Sequence, residues 1–142
     1  MERRVVITAA AAITPIGHGK EDIVHSLLNG VSGVKPLRED ELISPFIHSK
    51  VYGTVDYPIS YDFKRQYRKT MAPCSYYSCQ VAKEVLEQSG LTEEFITSGK
   101  LGVAFGSIHG SPSTQRDIYR TFFGATDNAA FKKIGAVDYL KS

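Results

Sequence analysis

Four cations crowd the heptapeptide FKRQYRK, residues 63–69: Lys64, Arg65, Arg68 and Lys69. Their i, i+1, i+4, i+5 spacing puts them on one face if the segment is helical. Such a face can grip an acidic partner, although from composition alone a solvated surface is the simpler reading. Lys132 and Lys133 form a weaker second pair. Among four histidines, His18, His25 and His48 read as surface residues, and the set has no metal-ligand spacing. His109 stands apart in GSIHGS, after an apolar run, where α/β proteins place ligands. A lone histidine in such a loop is structural more often than catalytic. Cys74 and Cys79 lie five residues apart. On a helix they point about 140° away from each other, so they cannot bridge, and they read as two small buried thiols in a reducing compartment.

Several chemistries are excluded by pattern. GSIHGS lacks the third glycine of a dinucleotide-binding loop, and neither a phosphate-binding GxxxxGK[ST] nor a GxSxG elbow occurs. No cofactor is implied. A net charge of +2 over 142 residues provides no bulk field for nucleic acid. No window approaches the roughly 18 apolar residues of a membrane span. Eight Tyr and seven Phe can fill an interior that has no Trp.

The elements that would position these residues read as an alternation of strand and helix. RRVVITAAAAITPIGHG resembles a signal peptide in outline, but Thr8 interrupts its apolar run and four of the nine residues Val5 to Ile13 are alanine. Its β-branched VVIT and the turn chemistry of TPIG favour a strand over residues 3–8. KEDIVHSLLNG predicts a helix with Ile23/Leu27 and Val24/Leu28 pairs and a stop at Gly30. A short strand is expected at Val51 to Val55. The clearest helix runs from near Met71 to Gly90, with a stripe at Met71, Cys74, Ser78, Val81, Ala82, Val85 and Leu86. TEEFI adds a helical turn, KLGVAFG reads as a buried strand, and residues 113–124 read as helix. Residues 130–142 have no clean period. The order is that of an α/β fold with too few strands for a complete sheet.

Four of these segments, taken in order, resemble the elongating β-ketoacyl-acyl-carrier-protein synthases: RRVVITAAAAITPIG, NGVSGV, RKTMAP…CQVAKEVLEQSGL and LGVAFGSIHGS. The resemblance runs from Arg3 to the chain end. It implies an incomplete N-terminal half of a thiolase-type α/β/α layered fold, so that residues 1–142 form one partial domain of a cytoplasmic enzyme. It also implies a decarboxylating Claisen condensation between malonyl- and acyl-carrier protein, in fatty acid, polyketide or polyene synthesis. The family uses a thiolate, two histidines and an oxyanion hole, and by its spacing these are expected beyond Ser142, so none is assigned to Cys74 or Cys79. Acyl carrier protein is the implied partner, docked on Lys64, Arg65, Arg68, Lys69, Lys132 and Lys133. A homodimer, or a heterodimer with a ketosynthase-like chain, is the implied assembly. By alignment, His109 and Asp138 fall on positions lining the acyl channel, which the family fills with apolar and aromatic residues. Ala9 and Ala11 replace family glycines, and Ala72 stands where Asp is common. Two alternatives stay open: a non-catalytic partner subunit that sets chain length, and an unrelated α/β binding module.

Overall fold

The computed structural model describes residues 4–37 and 48–124. In order it contains β1 (Ile13–Thr14), β2 (Gly17–His18), α1 (Gly19–Leu28), β3 (Val34–Pro36), β4 (Val51–Gly53), α2 (Arg65–Arg68), α3 (Pro73–Ser89), α4 (Glu93–Thr97) and α5 (Pro112–Phe123). Contacts divide the chain into two compact units. The first takes the residues up to Pro58 together with Val81–Gly90, and the second takes Ile59–Gln80 and the residues from Leu91 onward.

The first unit is organised by the TPIG turn. β1 and β2 pair antiparallel, Ile13 opposite His18 and Thr14 opposite Gly17. The Thr14 hydroxyl donates to the Gly17 carbonyl at 2.9 Å and accepts from the Ile16 amide at 3.3 Å, closing the turn with its own side chain. Gly17 takes φ +145°, and a Cβ there would sit 2.8 Å from Cβ of Asp22. Buried Ser26 of α1 donates to the Ile16 carbonyl at 2.6 Å. The helix ends where the sequence places its stop. Gly30 adopts φ +64°, the Val31 amide reaches the Ser26 carbonyl at 2.8 Å, and the Gly30 amide points to Leu27 at 3.4 Å, a Schellman pair. β3 and β4 then pair antiparallel, with Val34 opposite Gly53 and Pro36 opposite Val51.

In the second unit the core residues are Ala72 and Tyr76 near the start of α3 and Ile118 of α5. Thr92 caps α4, its hydroxyl accepting from the Phe95 amide at 3.2 Å, and Glu93 and Glu94 occupy the positive end of that helix. Pro112 opens α5 at a position where no amide donor is needed.

Two expected strands are not strands here. Residues 4–8 and 101–106 carry no ladder among the described residues, and Val5, Ile7 and Val103 are 95%, 91% and 72% exposed. β-branched composition favours an extended backbone, but a strand also needs a neighbour to bond with. The strand expected to reach Val55 stops at Gly53. α1 forms, yet Val24, Leu27 and Leu28 are exposed and Ser26 is the residue it buries. The α3 stripe from Met71 to Leu86 is half-buried, not fully buried. Among the described residues no helix is long and apolar enough to cross a membrane. Lys132, Lys133 and Asp138 lie outside the described residues.

Candidate functional site

The basic heptapeptide does form a helical turn. Lys64 and Lys69 flank α2, and the Lys64 carbonyl accepts from the amides of Tyr67 (2.9 Å) and Arg68 (3.2 Å). All four cations are exposed. None is in an ion pair among the described residues. The turn is too short to hold its own shape, because a single turn fixes several dihedrals for very few hydrogen bonds. It also lacks a side-chain cap.

What precedes it supplies the anchor. The Phe63 amide bonds the Tyr61 carbonyl at 2.8 Å, a tight three-residue turn. That turn presents both rings to Tyr76 of α3. The Tyr61 and Tyr76 centroids lie 5.0 Å apart in an edge-to-face arrangement, and those of Phe63 and Tyr76 lie 5.8 Å apart. Tyr76 is 7% exposed. The aromatic anchor escapes a reading of the sequence because Tyr76 lies off the predicted stripe, and nothing in the local pattern links it to Tyr61.

Beside it lies a cavity of about 340 Å³ lined by Cys74, Ser75, Ser78, Cys79, Phe105, Gly106 and Ser107. The two thiols are free and only half-buried, not sequestered in a core. The 140° between them does not keep them from one cavity, because Cys74, Ser75, Ser78 and Cys79, at i, i+1, i+4 and i+5, line its wall together. His109 is exposed. Its carbonyl accepts from Nε2 of Gln115 at 3.1 Å, and the cavity lining on that segment ends at Ser107.

The first unit holds a polar cluster. His18 is not a simple surface residue: Nε2 bonds Oε1 of Glu84 at 2.7 Å, with the side chains 25% and 22% exposed, and its ring lies 4.0 Å from that of Tyr57. Thr14, Pro15, Gly17, Asp22, Asp56 and Tyr57 share a cavity of about 250 Å³ with it. Lys35 bonds Asp56, and that carboxylate raises the lysine pKa above its ordinary value, first through the hydrogen bond and then through its charge. His25 and His48 are exposed, as their surroundings in the sequence suggest.

Comparison with known proteins shows the family of the chain. The family described as "Beta-ketoacyl synthase, N-terminal domain" matches residues 2–134. The chain belongs to the β-ketoacyl synthase family. Among curated relatives, the 3-oxoacyl-acyl-carrier-protein synthase 1 of Haemophilus influenzae is 31% identical over 113 residues, 80% of this chain and 27% of that protein. The corresponding synthase 2 of Coxiella burnetii is 33% identical over 118 residues, 82% of this chain and 28% of that protein. A Streptomyces violaceoruber protein, the granaticin polyketide putative β-ketoacyl synthase 1, is 27% identical over 120 residues. The crystal structure of a β-ketoacyl synthase from Burkholderia phymatum superposes with a TM-score of 0.80 at 24% identity, over 99% of this chain and 34% of that one. The fold is therefore an incomplete thiolase-type α/β fold, and the chain spans little more than a quarter of the length of the curated relatives it matches. The geometry groups the α2 cations with their aromatic anchor in one unit and His18 with Glu84 and Tyr57 in the other.

Proposed function

We propose that this chain is part of a 3-oxoacyl-acyl-carrier-protein synthase acting in fatty acid or polyketide synthesis. The observation that carries the reading is the family match across residues 2–134. In the reaction, a cysteine thiolate of the whole protein displaces the carrier thiol and holds the acyl group as a thioester. Malonyl-carrier protein loses carbon dioxide, and the carbanion left behind attacks that thioester. A 3-oxoacyl carrier product forms and the thiolate is released. No chemical step is assigned to Cys74, Cys79 or any other residue of this chain.

The part proposed for these residues is recognition. Lys64, Arg65, Arg68 and Lys69 form an exposed cationic turn suited to an acidic helix of acyl carrier protein, and Lys132 and Lys133 are proposed as a second contact. His109 and Asp138 are proposed to lie along the acyl channel, on the strength of their alignment with family positions. Dimerisation with a ketosynthase-like chain belongs to the same reading.

The test takes the longest natural protein carrying this sequence and supplies acyl-carrier protein with carboxyl-labelled malonyl-carrier protein. Labelled carbon dioxide and a 3-oxoacyl product in equal amounts are expected. Neither product, with both substrates intact, overturns the assignment. In that protein His109→Ile is expected to shift acyl preference toward longer saturated chains; an unchanged profile removes His109 from the channel.

A further inference from the structure

We propose that Tyr76 is a positioning residue for the carrier-docking turn, acting through Tyr61 and Phe63. This inference rests on the docking role proposed for the α2 cations and adds the group that fixes their geometry.

Three observations meet here. First, α2 is four residues long and uncapped, and its four cations have no ion-pair partner among the described residues. Neither intrinsic helicity nor salt bridging therefore sets where the cations point. Second, Lys64 follows Phe63 directly, and the Phe63–Tyr61 backbone bond fixes how the chain enters the turn. Third, both rings of that entry pack on Tyr76, whose Cα belongs to a 17-residue helix and whose side chain is buried at 7% exposure. The rigid element is thus α3, and both entry rings pack on it. Ala72, 3% exposed, closes the other end of the segment, its carbonyl accepting from the amides of Ser75 (2.9 Å) and Tyr76 (3.2 Å).

A docking surface gains affinity when its charged groups are held in the bound arrangement beforehand, because less side-chain and loop freedom is lost on binding. Tyr76 supplies that order without touching the partner. The work is done by its ring: edge-to-face contact needs aromatic character, whereas the hydroxyl makes none of the hydrogen bonds described for the cluster.

The test measures affinity of the longest natural protein carrying this sequence for holo acyl carrier protein at low salt, by titration calorimetry. Four variants are compared: Arg68→Glu, Tyr76→Ala, Tyr76→Phe, and Ile118→Ala as a buried truncation elsewhere in the same unit. Arg68→Glu is expected to abolish most binding. Tyr76→Ala is expected to weaken it roughly fivefold, with a shallower salt dependence because the cations no longer act together. Tyr76→Phe is expected to restore wild-type affinity, and Ile118→Ala to leave it unchanged. If wild type does not bind, or Arg68→Glu binds like wild type, the docking reading fails and this inference with it. If Arg68→Glu weakens binding but Tyr76→Ala matches Ile118→Ala, docking stands and the positioning role is overturned. Should Tyr76→Ala unfold the chain, Tyr76→Leu decides: it fills the core without an aromatic edge, and wild-type affinity in that variant overturns the proposal.

Discussion

His18 shows how a single side chain can leave no trace in its local sequence. It sits between two glycines and before a helix, yet it ties the β1–β2 hairpin to Glu84, 66 positions away, and packs at a tilt against Tyr57. Both members of the pair are mostly shielded from water, so the hydrogen bond to a carboxylate carries more weight than a surface pair does. His18→Ala is expected to cost about 1–2 kcal/mol in urea unfolding at neutral pH. A double-mutant cycle with Glu84→Gln should return a coupling near 1 kcal/mol, and additive losses would show the pair to be incidental. Lys35 is the opposite case, exposed and bonded to Asp56. Its raised pKa means the folded chain favours the ammonium form. The contribution is present below the ordinary lysine value of 10.5 and fades as pH rises through the raised one. An NMR titration of the Lys35 ammonium should give a midpoint above 10.5 that falls back toward it in Asp56→Asn.

Elements were legible in the sequence where their signals are local. α1 and α3 end within two residues of the stops at Gly30 and Gly90, and α4 and α5 fall on TEEFI and on residues 113–124 to within a residue, because caps and stops act on the nearest backbone groups. The basic turn was legible only as a condition: the four cations share a face if the segment is helical, and α2 supplies that helix. Strands were not, because pairing is a relation between distant segments: VVIT and GVAF carry the composition of a strand and have no ladder. The aromatic anchor at Tyr76 and the His18–Glu84 pair are likewise long-range and stayed hidden. Packing between elements makes one further expectation concrete. A Cβ on Gly33, at the entry to β3, would stand 2.7 Å from Cβ of Pro15 and 2.8 Å from its carbonyl carbon and oxygen. The obstruction includes backbone, which cannot swing aside. Gly33→Ala is therefore expected to destabilise the β3–β4 pair by about 1–3 kcal/mol, seen as faster amide exchange at Lys35 and Tyr52, which face each other in the ladder. Protection equal to wild type would mean the TPIG turn moves freely against β3.

At the scale of the whole molecule, the notable quantity is apolar surface left in water. Val5, Val6, Ile7, Val103 and Phe105 are all more than 60% exposed, and they fall in the two segments whose composition asks for a sheet. An extended apolar segment without a neighbour offers unpaired amides and carbonyls together with side chains that gain by leaving water, which is the recipe for edge-to-edge association. Each such side chain contributes about 1.5–3 kcal/mol when fully buried, so a few of them outweigh the entropy of bringing two chains together at micromolar concentration. The 142-residue chain is accordingly expected to self-associate, with a sedimentation coefficient that rises with concentration. Val103→Lys with Phe105→Lys places charge on the segment without touching the α2 cations or Tyr76, and it should return the chain to monomer. Carrier-protein binding at low salt should survive that change, because the docking turn and its anchor lie in residues 61–76. A wild-type chain that stays monomeric across a hundredfold range of concentration would show that these segments are protected in solution, and the apolar surface would then need another account.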